Sequence, residues 1–514
     1  MTTRVVGLMK ELGGLAALPH EQRVGLVRSL TWVDEVEPAE VAVLLRGLAQ
    51  LEKPTGKEAQ AVWGAVFARL QQRFAKPPSP PLEENLREQI GNLYQQLGKD
   101  FAERHHLLAI LATSNDEKGL RLFADLVATE PPQDTHRAVM AFVPLFRRTD
   151  YSVDALFPRV LDGVGDPHVA TVILDLANYV TRRSMVTAHP ATDRCAQLAG
   201  LLGGLVQQLE SIPQKPPNDA EEAMAARQQV AEAVSLCVSL CDSLALIGDL
   251  SVLGRLRQAL GLGHRQLRTE AAAALARLGD DDGRKKLVEL AAEPLVRLKV
   301  LSYADELGIG GEIEAKHRTA EALAEASLVG WLALPTQFGV PPQNIEHIDS
   351  RKMYWPGYTE PIDCHLFCYS YETPNGSMMN VGIAGPLVHS FRADLTDLPA
   401  DDVYAAFAGW HAEHEEVFEV DWEELSADSV AVAEAVRARL EGEGYSDPQI
   451  VYCGMFFGSL VLVVSANRGG TQGTVIADAE MSHWCPRGDG PRPLGPEEAY
   501  SIYKGRKLLA AFNE

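Results

Sequence analysis

Residues 244–309 read LALIGDLSVLGRLRQALGLGHRQLRTEAAAALARLGDDDGRKKLVELAAEPLVRLKVLSYADELGI, and the fold turns on this stretch. An aliphatic residue followed by glycine recurs at Ile247-Gly248, Leu278-Gly279 and Leu307-Gly308, at intervals of 31 and 29 residues. Self-similarity at that period marks stacked helical repeats. Within 267–280, Leu267, Ala271, Ala274, Leu275 and Leu278 share one helical face, with Arg268 and Glu270 pointing elsewhere. Gly279 ends that helix, Asp281, Asp282 and Gly283 make the turn, and Leu287, Leu290 and Ala291 begin a second apolar stripe. One helix pair buries too little apolar surface to stand alone, so several must stack. The many alanines let neighbouring helices approach closely.

These residues carry a resemblance. Leu267-Arg268, Ala271 to Leu275 and Leu278-Gly279-Asp280 resemble the short HEAT-like repeat, of the type also found in phycobilisome lyases. Val296-Arg297, Ala304 and Leu307-Gly308 match it again. The copy ending at Gly248 departs from the pattern, with Cys237 where the others have Arg268 and Arg297. Over about 235–310 the resemblance implies a solenoid used for protein contacts, occasionally with lyase or nucleic-acid roles. A tetrapyrrole lyase rests on the resemblance alone. Arg268 and Arg297 are expected to find partners inside the repeat, the alternative being contact with another protein.

Upstream, the helical pattern persists with a degenerate repeat. Helices are expected at 82–97, 100–113, 116–129, 135–147, 153–162, 168–182 and 192–209. Residues 1–74 form an N-terminal helical cap, with helices at 37–51 and 57–74. The run KPPSPP at 76–81 is a stiff connector and SIPQKPPN at 211–218 a loop. A long helix at 220–246 carries Cys237 and Cys241 four residues apart. Their apolar setting marks them as core rather than a chelate.

Downstream of about 320 the character changes. Five of the seven tryptophans lie beyond that point, and strand signals dominate. In IDCHLFCYSYET (362–373), Cys364, Leu366 and Cys368 face one way and His365, Phe367, Tyr369 and Tyr371 the other. Pro374-Asn375-Gly376 is a hairpin turn, 378–384 the returning strand and 387–393 a further strand. A helix from Pro399 buries Val403, Phe407 and Trp410, and His414 continues that stripe. A second helix covers 428–440. Strands at 449–457, 459–466 and 471–480 are joined by turns short enough to force antiparallel pairing. A terminal helix spans 497–512. The fold class is therefore an α-solenoid of HEAT-like repeats (82–320) followed by an α+β domain (321–514) with a mostly antiparallel sheet.

The chain has 514 residues, 46% of them apolar, enough for more than one core. Net charge is −23, of which 321–514 carry −18 (29 acidic, 11 basic). That sign repels phosphate backbones and disfavours nucleic acid. Seven scattered cysteines fit a reducing compartment. The N-terminus lacks the shape of a signal peptide, and no segment reads as a spanning helix, so a cytoplasmic protein with no membrane contact is expected.

No catalytic motif is present. G-x-S-x-G, the P-loop and G-x-G-x-x-G are absent, and the glycine-rich 467–473 joins two strands, where phosphate loops lead into helices. His411-Ala412-Glu413-His414 matches neither helical zinc motif. Cys364, Cys368, His483 and Cys485 are too spread for one zinc ion. Cys368, Cys453 and Cys485 are candidate nucleophiles with His365, His389 and His483 as candidate bases, but spacing selects no pair. No catalytic, cofactor or metal residue is assigned. Two surface features remain. EHEEVFEVDWEE (413–424) places seven acids, Glu413, Glu415, Glu416, Glu419, Asp421, Glu423 and Glu424, among apolar residues. It reads as a solvated edge or as a dock for a basic partner. The aromatic turn MYWPGY (353–358), with Trp355, reads as a lid on its own core or as a contact patch. The expectation is a non-enzymatic scaffold or adaptor binding proteins. The rival is an enzyme with its site in the C-terminal domain and the solenoid recruiting substrate.

Overall fold

Three glycines punctuate the helical part where the spacing requires. Gly248, Gly279 and Gly308 have φ of +81°, +82° and +70°, a left-handed backbone that glycine adopts without penalty. The Asp280 N–H donates to the Leu275 carbonyl at 3.0 Å and the Ile309 N–H to the Ala304 carbonyl at 2.9 Å. Both close the helix end in the same way, five residues back, so one stop signal is built twice.

The computed structural model describes residues 3–76, 82–114, 116–212, 219–373 and 376–513. Most of the connector at 77–81, the loop at 213–218 and the turn residues Pro374 and Asn375 lie outside the described residues. The chain divides into two compact units, Met1–Lys286 and Leu287–Glu514.

The first unit is helical: α1 (Thr3–Gly13), α2 (His20–Ser29), α3 (Pro38–Gln50), α4 (Lys57–Ala75), α5 (Glu84–Leu97), α6 (His105–Thr113), α7 (Glu117–Thr129), α8 (Thr135–Phe146), α9 (Pro167–Arg182), α10 (Cys195–Ser211), α11 (Ala220–Ile247), α12 (Leu253–Gly261), α13 (Arg265–Arg277) and the start of α14 (Asp281–Leu290). Helices pack on the helix two places along: α1 on α3, α3 on α5, α5 on α7, and in a second row α2 on α4, α4 on α6, α6 on α8. α8 then meets α9, which is followed by α11 and α13, while α10 packs on α12. Two rows stepping together are how a solenoid spreads one core along its length. Leu45, Val66, Phe67, Ile90, Leu108, Phe142, Ile173, Leu240 and Leu275 are all fully buried in that core.

Three details differ from the sequence pattern. Residues 153–162 form 3-10 turns, Val153–Ala155 and Arg159–Gly165, because Pro158 between them has no N–H to continue an α-helix. α13 is buried on nearly every side, Thr269 and Glu270 included. α11 is by length and composition apolar enough to cross a membrane. Its inward face is nonetheless committed to the protein: Cys237, Leu240, Cys241 and Leu244 are buried, and Ser239 and Ser243 donate to Asp175 and Asn178 of α9.

The second unit continues with α15 (Pro294–Glu306) and α16 (Ala320–Leu332). Then come β1 (Asn344–Met353), β2 (Ile362–Thr373), β3 (Gly376–Ala384), α17 (Ala400–His411), β4 (Val417–Val420), α18 (Ala427–Gly442), β5 (Tyr445–Phe456), β6 (Ser459–Arg468), β7 (Thr471–Ala477), β8 (Ser482–Pro486) and α19 (Pro496–Asn513). Two antiparallel meanders result, β1-β2-β3 and β4-β5-β6-β7-β8. The helical first part followed by an α+β domain is as the sequence indicates. Inner faces of both sheets, through Cys364, Leu366, Val381, Val461, Val463 and Ile476, join one core with α17 and α19. α16 covers the other face of the first sheet against Phe367, Tyr369 and Tyr371. α18 covers the other face of the second against Leu462, Val464 and Val475. Residues 387–393 are not a strand: among the described residues they join β3 through an isolated bridge between Ile383 and His389 and through side-chain bonds from Asn380 to the Phe391 and Ala393 carbonyls and from Ser390 to the Val381 carbonyl.

Candidate functional site

β4 lies at the edge of its sheet, and β5 is its neighbouring strand. Val417 points into the core at 7% exposure, while Phe418 is 52% exposed. The 3-10 turn Trp422–Glu424 follows, with Trp422 also at the surface. Glu413, Glu415, Glu416, Glu419, Asp421, Glu423 and Glu424 are all exposed. Among the described residues none of the seven forms an ion pair. Lys504, whose ammonium feels Glu413 and Glu419, donates instead to the Ala412 carbonyl at 2.6 Å. β4 is four residues against the twelve of β5, so the earlier part of β5 extends beyond it. A groove of about 320 Å³ opens there, lined by Val420, Trp422, Glu434, Arg437, Ile450 and Cys453 among others.

Other sequence expectations move. Trp355, offered as a contact residue, is fully buried, with its indole N–H directed at His411 Nδ1 (3.3 Å), so it cannot touch a partner. Its neighbours Tyr354 and Tyr358 are at the surface. The turn closes the core by placing Trp355 in the cluster that Cys364 and Leu366 of β2 share with Tyr404 and Phe407 of α17. Trp410 is 50% exposed rather than buried, one face stacked on His389 at 3.9 Å and 9°. His414 is past the end of α17, bridging to Val417 with its ring against Phe457.

The thiols are poor nucleophiles. Burial pushes Cys364 up to about 12 and Cys485 up to about 11, and raises Cys368 and Cys453; the thiolate is the reactive form. His365 meets a serine rather than a cysteine. The Ser350 oxygen sits 2.7 Å from His365 Nδ1 and 2.6 Å from His347 Nε2, and His347 Nδ1 lies 3.8 Å from Glu321 Oε1. A bulge between His347 and Asp349 turns His347 onto the face of Ser350. One hydroxyl proton serves one imidazole, so the other imidazole must donate to the serine oxygen. Sequence reasoning missed this set because the serine and its histidines belong to no recognised spacing.

A second cluster was also missed. Glu103, His105 and His106 bring metal-binding atoms within 4.8 Å of one another. The run Glu103-Arg104-His105-His106 was legible, but adjacent histidines fall outside the familiar helical zinc spacings. The sequence matches no family model, and no curated protein aligns with it significantly.

Proposed function

We propose that the protein is a non-enzymatic adaptor, in which a HEAT-like helical-repeat surface is combined with an acidic module that docks a basic segment of another protein. The observation that carries this reading is the edge strand β4, where seven exposed carboxylates, none in an ion pair among the described residues, lie beside an open strand edge and a groove. Carboxylates on an edge deter pairing with acidic or identical edges. The same charges attract lysine- and arginine-rich chains and speed their encounter. The repeat reading is supported by the twice-built glycine stop and by the stepwise packing of helices. Nucleic acid and membrane have no part in this reading. The unpaired state of all seven cysteines supports a cytoplasmic, reducing setting.

The test is the affinity of the full chain for a defined peptide of alternating lysine and valine, followed by fluorescence anisotropy. Reversal of Glu415, Glu416, Glu423 and Glu424 to lysine is expected to weaken binding by roughly tenfold or more at low salt, with the difference shrinking as salt screens it. Unchanged affinity would remove the docking reading.

The rival, an enzyme with its site in the C-terminal domain and the helical rows recruiting substrate, is favoured by one observation: the Ser350 hydroxyl held between two imidazoles. A fluorophosphonate probe tests it. Labelling of Ser350 that disappears in His347→Gln would support an activated serine, and no labelling would count against it.

A further inference from the structure

Among the described residues, the cluster of Glu103, His105 and His106 has the features of a built metal site. It sits where the 3-10 turn Ala102–Arg104 runs into α6. Glu103 and His106 are one helical turn apart and share a face. The two imidazoles lie 4.0 Å apart, tilted by 35°. Their tautomers follow from their partners. His105 Nδ1 is 3.1 Å from the Ala102 carbonyl oxygen, and His106 Nδ1 is 2.6 Å from Gln71 Oε1. Both oxygens only accept, so each Nδ1 carries the proton and each Nε2 keeps its lone pair. Among the described residues no hydrogen bond uses either Nε2.

Glu103 completes the set. Its Oε2 is 3.7 Å from His106 Nε2, too long for a hydrogen bond. Two ligands of one tetrahedral ion, each at about 2.0–2.1 Å, are separated by roughly 3.3 Å. Its Oε1 accepts from Arg137 Nη2 at 3.0 Å. Metal-binding imidazoles are oriented through their second nitrogen, and ligating carboxylates are hydrogen-bonded in turn; both arrangements are present. Room for the carboxylate is made by α4, where a Cβ on Gly64 would lie 2.6 Å from Glu103 Cγ. Burial, then the neighbouring His105 and Arg137, hold His106 down to about 3. Burial lowers His105 as well, against the pull of Glu103.

We propose that Glu103, His105 and His106 bind a divalent first-row transition metal, Zn²⁺ by ligand type, with a coordination position left for water. Two nitrogens and one oxygen suit zinc and its neighbours, whereas Mg²⁺ and Ca²⁺ take all-oxygen sets. The Arg137 guanidinium opposes a cation and moderates the affinity without blocking Oε2. A bound ion would tie the 3-10 turn to α6, with α4 and α8 held behind it through Gln71 and Arg137.

The experiment titrates the chelator-stripped full chain with Zn²⁺ alone against a chromophoric competitor, in the wild type, His106→Asn and Glu103→Gln. Cysteine thiols also take up zinc, so the difference between wild type and variants is the readout. The wild type is expected to bind one more equivalent than either variant, or to hold its tightest equivalent at least tenfold more tightly. Co²⁺ in that site is expected to show d–d bands without a thiolate charge-transfer band. Zn²⁺ should raise the wild-type Tm and leave that of the variants unmoved. Should His106→Asn fail to fold, Glu103→Gln, on a partly exposed carboxylate, carries the same comparison. Zinc stoichiometry and affinity unchanged by the substitutions, or no saturable binding in the wild type, would overturn the proposal.

Discussion

At the scale of single residues, His189 shows how burial becomes pH dependence. It is 3% exposed, with Nε2 3.0 Å from Asn178 Oδ1 and Nδ1 accepting from the Ala191 N–H at 3.2 Å. Both nitrogens are used by the neutral ring, so a second proton must break the Ala191 bond. Burial holds its pKa down to about 4. The folded value lies below the unfolded one near 6.5, so this contribution is present above about pH 6.5 and is lost as pH falls through 4. The full loss is on the order of 3 kcal/mol. Urea midpoints at neutral and acid pH check this: the acid-induced drop should be smaller in His189→Gln than in wild type, and an equal drop would contradict it. Arg297 makes a different case. Its guanidinium, 4% exposed, donates to the Ala291 and Ala322 carbonyls and to Glu325 Oε2 at 2.6 Å. The sequence indicates partners inside the repeat; Arg297 finds them in the Ala291 and Ala292 carbonyls and, beyond it, in Ala322 and Glu325 of α16. Arg297→Ala leaves the Ala291, Ala292 and Ala322 carbonyls and the partly exposed Glu325 carboxylate without this donor, and should cost roughly 1–3 kcal/mol in denaturant unfolding.

At the scale of elements, two kinds of glycine behave differently. Gly279 has open space around its Cβ position and needs only its left-handed backbone, so Gly279→Ala should cost about 1 kcal/mol. Gly409 and Gly505 are where α17 and α19 cross. A Cβ at Gly409 would lie 1.9 Å from the Ser501 carbonyl oxygen, and one at Gly505 1.8 Å from that of Ala405. Backbone cannot yield as a side chain can, so Gly409→Ala should lower stability by about 3 kcal/mol or more, read as a lower Tm. A near-neutral Gly409→Ala would mean the helices are farther apart than described. The helical elements were legible because their apolar period is strong over many residues, and the glycine stops because only glycine suits that backbone. β1 was not, since NIEHIDSRKM has little apolar alternation and is held by its pairing with β2. The acidic strand was legible as a run of charge. The positions of Trp355 and Trp410 were not, because which side of a helix or turn meets the core is decided by segments distant in sequence. The Ser350 and Glu103 clusters depend on a bulge and on a turn-to-helix junction, neither of which leaves a periodic trace.

At the scale of the whole molecule, charge is concentrated where the docking reading needs it. Residues 321–514 carry −18 of the −23, and the seven exposed carboxylates of 413–424 are part of that excess. In the proposed reading, the helical rows supply surface and the edge of the second sheet is the point of attachment for a basic chain. Hydrogen–deuterium exchange of the full chain, with and without the lysine–valine peptide, tests this most directly. Slowed exchange confined to the amides of β4, the turn Trp422–Glu424 and the first half of β5, and abolished by added salt, is the expected result. Peptide-independent exchange across 413–453, or protection that appears only elsewhere in the chain, would contradict it.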